Sequence, residues 1–472
     1  MSETFDVKAF ATERDNVLIA PAGFGKTHTI SECLKHTEGK QLILTHTQAG
    51  VASIKEKLRK CSIGKDVYCV ETISSFAQRY VLAFDSSVTI PDVTDPENFY
   101  PYLIDKAKEI FSLKPVRDVI KVSYTGLFID EYQDCTVNQH DLILILADIL
   151  PAHVLGDPLQ GIFGFNEQLV DLDDPVQMGR FNSVHQLKIP HRWINGGNEQ
   201  LGIELLQIRG RLISKLEIDL TQYPSIEFKQ GTYAEHYSYV INILTSGKSI
   251  LVIHPSSGQI PPRQKFVADF KYIPILIESL DHKDFYNWAK HFDDATKPFS
   301  TLLNDFITSQ FSNLANWYNK DTKKFKRKNN PLDESKLVDI KNMYTELQAN
   351  YSLIKTKGII SKIKDLDNVN CTRKDLLNSL CVSMENAYYS NTTVLEAMQN
   401  HRNTIRRTGR KLYGRCIGTT LLTKGLEFDT VIVLEAEKFK DPKNLYVAIS
   451  RCTKRLVILG ADSKLNPYKS SL

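Results

Sequence analysis

The stretch APAGFGKTHTI, residues 20–30, follows the apolar run Asn16-Val17-Leu18-Ile19-Ala20 and leads into residues 27–34, which read as the start of a helix. A short apolar run bounded by turn residues reads as a buried strand, so the local order is strand, glycine loop, helix. Gly23 and Gly25 let backbone N–H groups come close to phosphate oxygens, and the helix N-terminus adds a favourable dipole. In such a loop Lys26 holds the β and γ phosphates and the Thr27 hydroxyl ligates Mg²⁺. The strict pattern G-x-x-x-x-G-K-[ST] has glycine where this chain has Ala20. Loops of this kind serve kinases, GTPases, transporters and nucleic-acid motors alike, so the loop by itself leaves the activity open.

Composition narrows the class. The chain has 472 residues, long for one domain, and is 42% apolar and 24% charged, as ordinary globular proteins are. A net charge of +4 is too small to argue for nucleic acid by itself. The eight cysteines form no C-x-x-C pair, which fits reduced, mostly buried thiols of a cytoplasmic protein and not a zinc or iron–sulfur site. No signal peptide and no run of membrane-spanning length is read, so no membrane association is expected.

Strands and helices alternate up to about residue 190. Strands are expected at 41–45, 67–70, 126–130 and 152–156, with helices at 51–60 and 138–149 between them. That alternation predicts a mostly parallel sheet covered on both faces. A second αβ region has its clearest strands at 249–253, 430–434 and 456–459. Between the first and second of these, residues 280 to 411 are polar and mainly helical in pattern, carrying the basic run 323–328 and the Arg-rich stretch 402–415.

The second informative stretch is GLFIDEYQDCT, residues 126–136. An apolar strand ends in Asp130-Glu131, where a parallel sheet opens its ligand crevice. There Asp130 can hold Mg²⁺ through water, Glu131 can orient and deprotonate a water, and Gln133 and Asp134 can link the nucleotide to a moving part. A D-E-x-Q-D run following a phosphate loop is specific for NTPases that act on nucleic acid.

With both motifs placed, the chain resembles superfamily-one helicases of the UvrD/Rep/PcrA type. APAGFGKT matches their A-x-A-G-[ST]-G-K-T, which also begins with alanine. LTHTQAGVASIKEKL (44–58), VETISSF (70–76), LGDPLQGIFGF (155–165), IPHRW (189–193), TTLLTKGLEFDTVIVL (419–434) and LYVAISRCTKRLVIL (445–459) resemble further motifs of the family, in family order. The resemblance implies an α/β fold of two RecA-like P-loop NTPase core domains, with a reduced first insertion and a mainly helical second one. The expected limits are 1–77 and 119–190 for the first core, 78–118 for the reduced insertion, 191–280 and 412–472 for the second core, and 281–411 for the helical insertion.

Roles follow residue by residue. ATP is expected on the loop (Ala22, Gly23, Phe24, Gly25, Lys26, Thr27), with Mg²⁺ on Thr27 and Asp130. Glu131 is expected as base, Gln160 as γ-phosphate sensor, and Arg192 and Arg451 as arginine fingers from the second core. Glu427 is expected at the nucleotide sugar, with Gly425 letting the backbone pass close. His28 and His191 stand where the family places an Arg and a Tyr against the base. For single-stranded DNA the resemblance implies phosphate contacts from Thr45, Thr47 and Thr72, stacking from Phe163 and Phe165, and His46 in place of a stacking Phe.

Departures shape the functional expectation. About fifty residues separate Phe76 from Phe128, and only 21 residues follow Arg451, too few for an appended nuclease. No glutamine precedes the loop to read adenine. Small helicase-like chains of this kind accompany an ATPase-nuclease subunit in anti-phage systems such as Gabija. Two readings therefore stand: an ATP-dependent 3′–5′ DNA helicase or translocase working on single-stranded DNA or DNA ends, and a DNA-sensing regulatory NTPase subunit without processive unwinding.

Overall fold

The computed structural model describes residues 5–84, 96–163, 167–256, 259–279, 282–408, 412 and 414–468. The chain divides into two compact units, Met1–Thr232 with Lys424–Leu472, and Tyr233–Thr423.

In the first unit, β1 (Asn16–Ile19), β2 (Gln41–Thr45), β3 (Tyr68–Thr72), β4 (Gly126–Ile129), β5 (Ala152–Gly156) and β6 (Ser183–Gln186) form one sheet in the order β3-β2-β4-β5-β1-β6. Every pairing in it is parallel. Val17, Leu42, Leu127, Ile129 and Val154 join a core with Phe76, Phe111, Leu142 and Leu146 from the flanking helices. Their neighbours Leu18, Ile43, Phe128 and Leu155 are equally buried. Side chains alternate across a strand, so burial of both sets means both faces are covered, as a parallel sheet requires.

Strands 41–45 and 152–156 stand where the sequence places them, while β3 runs two residues beyond the expected 67–70. The helix expected at 51–60 begins earlier, at Gln48, because the Thr47 hydroxyl accepts from Gly50 N at 3.0 Å and caps it. The sequence reading missed β6: it is a half-exposed edge strand, Ser-Val-His-Gln, without the apolar run that identified the others. Residues 85–95, inside the expected reduced insertion, lie outside the described residues.

The first unit also holds helices His191–Gly196 and Glu199–Ile213, and the strand Cys452–Gly460, which pairs in parallel with Ile226–Gln230 and Phe428–Val433. In the second unit, Ile250–Ile253, Ile275–Leu276 and Arg415–Gly418 pair in parallel. They accompany six helices between Lys283 and Thr408 that share a core around Phe285, Phe306, Leu337, Ile360 and Leu380.

The basic run 323–328 lies on and just after a short hairpin, Tyr318–Asn319 with Lys324–Phe325. Lys323 donates to Thr301 Oγ1, and Lys328 lies 4.4 Å from the Trp317 ring centroid. The Arg-rich stretch 402–415 does not form a continuous basic face, because its first arginine points into the core. Arg402 is fully buried, stacked 3.8 Å over the Phe285 ring and 3.5 Å from the Asp375 carboxylate. Helical spacing turns it inward, and the neighbouring carboxylate and ring offset its desolvation. Residues 409–411 and 413 lie outside the described residues.

Candidate nucleotide site

Because the six strands are parallel, the segments leaving β1, β4 and β5 emerge at one edge of the sheet. β5 lies between β1 and β4, with Ile19 opposite Gly156 and Ile129 opposite Val154. This brings the glycine loop, the Asp130-Glu131 turn and Gln160 together.

Gly23 and Gly25 have φ of 77° and 97°, in the left-handed region that only glycine adopts cheaply. A Cβ at Gly23 would also stand 2.8 Å from Arg192 Cβ and 2.9 Å from Trp193 Cζ3. The loop is docked against the helix His191–Gly196, whose Arg192 N donates to Gly23 O at 2.9 Å. On another side, Ala22 N donates to the buried Tyr446 hydroxyl at 3.1 Å. Helix Lys26–Cys33 then starts from Gly25, its first N–H groups turned toward the loop.

Lys26 is 9% exposed and places Nζ 2.7 Å from Glu131 Oε1 and 3.5 Å from Asp130 Oδ1. Burial alone would lower its pKa, but these two carboxylates overcome it and raise it. Burial also raises the Asp130 carboxyl, against the pull of Lys26. It would raise Glu131 too, but Lys26 and Lys424 outweigh it and hold that carboxylate well below the usual range. Glu131 has φ of 56°, a conformation that costs a non-glycine residue about 1 kcal/mol or more and gathers at functional sites. Gln133 fixes its other oxygen, with Nε2 2.5 Å from Glu131 Oε2, while Gln133 Oε1 accepts from Asp157 N at 3.0 Å.

Asp157 is fully buried and ion-paired with Arg209 at 2.9 Å. It also accepts from Gln160 Nε2 at 3.0 Å, leaving Gln160 Oε1 to face Arg451 Nη2 at 3.4 Å. Arg451 is 2% exposed and donates to Val447 O and Ser450 Oγ. Among the described residues no carboxylate lies within ion-pair distance of it, and burial together with the Arg192 guanidinium lowers its pKa to about 10. Arg192 itself bonds Ser450 O and pairs with Glu427 Oε1 at 2.6 Å. Gly425 has φ of 81°, which explains glycine there. Both arginines and Glu427 thus lie in the same compact unit as the loop.

His28 is one residue into the helix beyond Thr27 and half exposed, and His191 lies against Gly25, its Cδ2 3.3 Å from where a Cβ would stand. Of the residues expected at DNA, Thr45 and Thr72 are buried, at 1% and 6% exposure. The Thr72 hydroxyl already accepts from Ser75 N, as Thr47 does from Gly50 N. His46 and Phe163 are brought together, their rings stacked at 6.2 Å and 20°. Phe165 lies outside the described residues.

Sequence reasoning overlooked three groups here: Tyr446 under the loop, the Asp157–Arg209 pair beneath Gln160, and Lys424, whose Nζ lies 2.5 Å from Asp134 Oδ2. Lys424 and Tyr446 stand inside motifs that were read for their neighbours; Arg209 sits in a helix that carries no motif.

Among the described residues no cluster of three or more His, Cys, Asp or Glu is arranged to hold a metal, and no helix is long and apolar enough to cross a membrane. All eight cysteines are free. A family model described as an AAA domain matches residues 6–166, from the helix before β1 to the segment after Gln160. No curated protein matches the chain. The match and the geometry of the loop, the Asp130-Glu131 turn and Gln160 together support a P-loop NTPase of the helicase-like superfamily.

Proposed function

We propose that the chain is a DNA-dependent ATPase of the UvrD/Rep/PcrA type, coupling ATP hydrolysis to 3′–5′ movement on single-stranded DNA in the cytoplasm. The observation that carries the catalytic part is Arg451: a buried guanidinium with no carboxylate within ion-pair distance among the described residues, beside Arg192 and hydrogen-bonded to Gln160. Arg192 pairs with Glu427, but Arg451 has no such carboxylate beside it, so its charge is suited to receive an anion, and a transferred phosphoryl group is the anion that the adjoining loop receives.

In this reading the loop N–H groups and Lys26 bind the β and γ phosphates. The triphosphate competes with Glu131 for Lys26, and the freed Glu131, oriented by Gln133, takes a proton from the attacking water. The water oxygen bonds to the γ-phosphorus as the bridging oxygen leaves with ADP. Arg192, Arg451 and Lys26 stabilise the charge on the transferred group, fingers of this kind contributing about 10³ to 10⁵ in rate. Thr27 Oγ1 and Asp130 Oδ2, 3.5 Å apart, are hard oxygens suited to hold Mg²⁺ together with water. Mg²⁺ bound there would neutralise phosphate charge. Phe163 supplies a base-stacking face, supported by the stacked His46 ring.

The short span between Phe76 and Phe128 favours a second reading, a DNA-sensing NTPase subunit that signals to an ATPase-nuclease partner of an anti-phage complex. A strand-displacement assay run beside DNA-stimulated hydrolysis separates the two. The first reading expects both activities, and the second expects DNA-stimulated hydrolysis without displacement.

A further inference from the structure

We propose that Lys424 is a positioning residue that couples nucleotide occupancy to base stacking at Phe163. The inference rests on the DNA-dependent reading above and adds to it the group through which the two sites communicate.

One ammonium makes every contact that such a role needs. Lys424 Nζ lies 2.6 Å and 2.5 Å from the two oxygens of Asp134, 2.5 Å from Gln160 O, and 4.3 Å from the centroid of the Phe163 ring. Asp134 ends the 3₁₀ turn that begins directly after Glu131, so its position follows that of Glu131. Gln160 touches Arg451 through its side chain and Lys424 through its carbonyl. Phe163 lies three residues further along the same segment.

The lysine is buried, at 7% exposure, and so is its carboxylate partner at 2%. A buried ammonium has no water to replace a lost partner. A shift of Asp134 or Gln160 on nucleotide binding therefore moves the charge under Phe163, and a base stacking on Phe163 acts back on the ammonium. The Asp157–Arg209 pair offers a contrast. It is as buried as Lys424–Asp134, but among the described residues none of its contacts reaches an aromatic side chain expected at DNA. Coupling between two sites is reciprocal in binding free energy, so it can be read at equilibrium without turnover.

The test measures the Kd of a fluorescent oligo(dT) with and without a non-hydrolysable ATP analogue, for the wild-type chain, Lys424→Met and Lys424→Arg. The analogue is expected to change the wild-type Kd about tenfold, a typical coupling. Lys424→Met should reduce that ratio to less than about twofold while each ligand still binds alone, and Lys424→Arg, which keeps a cation able to pair with Asp134 and lie on a ring, should retain it. If Lys424→Met fails to fold, Lys424→Met with Asp134→Asn removes both buried charges and takes its place. A folded Lys424→Met variant, single or paired, with the wild-type ratio overturns the inference and leaves the DNA-dependent reading intact. A wild-type chain whose DNA affinity ignores the analogue overturns the coupling, and one that binds no DNA overturns the reading beneath it.

Discussion

Replacing Arg451 by methionine should separate stability from activity, because burial and the neighbouring Arg192 disfavour this charge in the fold. Burial and the neighbouring Arg192 lower its pKa from 12.5 to about 10. At 1.36 kcal/mol per unit, holding it charged in the fold costs about 3 kcal/mol at neutral pH, where both folded and unfolded states carry the charge. Against that stand hydrogen bonds to Val447 O, Ser450 Oγ and Gln160 Oε1, at 3.0, 3.1 and 3.4 Å, each contributing about 1 kcal/mol. The two sides nearly cancel. Arg451→Met should therefore leave the melting temperature of the nucleotide-free protein within about 3 °C of wild type. Its kcat should fall by about a thousandfold or more, with nucleotide affinity changed far less, because the finger acts mainly in the transition state. An arginine held in an ordinary buried ion pair behaves in the opposite way, its loss costing roughly 3–5 kcal/mol. Thermal unfolding beside steady-state turnover decides the matter: a large drop in melting temperature with kcat preserved would refute the reasoning.

Glu131→Gln should abolish turnover while the protein still binds nucleotide, since the amide keeps the shape but cannot take a proton; near-normal kcat in the purified variant would remove Glu131 as base. Phe163→Ala should weaken single-strand binding by about 1–3 kcal/mol for the lost stack, and wild-type binding should fall with salt; unchanged affinity in a titration would make this ring a purely structural neighbour of His46. His153 is buried, bonded to Asn16 and held near a pKa of about 4, below the 6.5 of the free side chain. The unfolded chain therefore takes the proton first as pH falls below 6.5, and stability drops until about pH 4, by roughly 2 kcal/mol between pH 7 and pH 5; urea melts of His153→Gln showing the wild-type loss over that range would refute this. The rings of His28 and His191 beside the loop can stack on any base but do not supply the paired hydrogen bonds that reject the wrong one, so GTP should be hydrolysed within about tenfold of ATP, or 1.4 kcal/mol; a thousandfold preference in kcat/KM for ATP would contradict it.

The candidate nucleotide site was legible as a cluster because its parts are continuous in sequence. A glycine loop between strand and helix announces itself, and an apolar strand ending in Asp130-Glu131 does the same. Parallel strands then carry both to one edge of the sheet, so adjacency follows from topology. Interactions between distant segments were not legible. Tyr446 under Ala22, Arg209 against Asp157 and Lys424 on Asp134 each join segments far apart in the chain, and a single sequence carries no signal for which distant side chain will meet which. Surface chemistry misled where helical phase was ignored: Arg402 sits among basic residues in sequence yet is buried over Phe285. The capping role of the Thr47 and Thr72 hydroxyls, which accept from Gly50 N and Ser75 N, was likewise not read from the sequence.

The most direct measurement is nucleotide turnover by the full-length chain with Mg²⁺ and ATP, with and without saturating single-stranded oligonucleotide. Low basal hydrolysis that DNA raises about tenfold or more is expected, with Lys26→Ala inactive under both conditions. Turnover that DNA leaves unchanged, or that survives in Lys26→Ala, would contradict a DNA-dependent NTPase built on this loop.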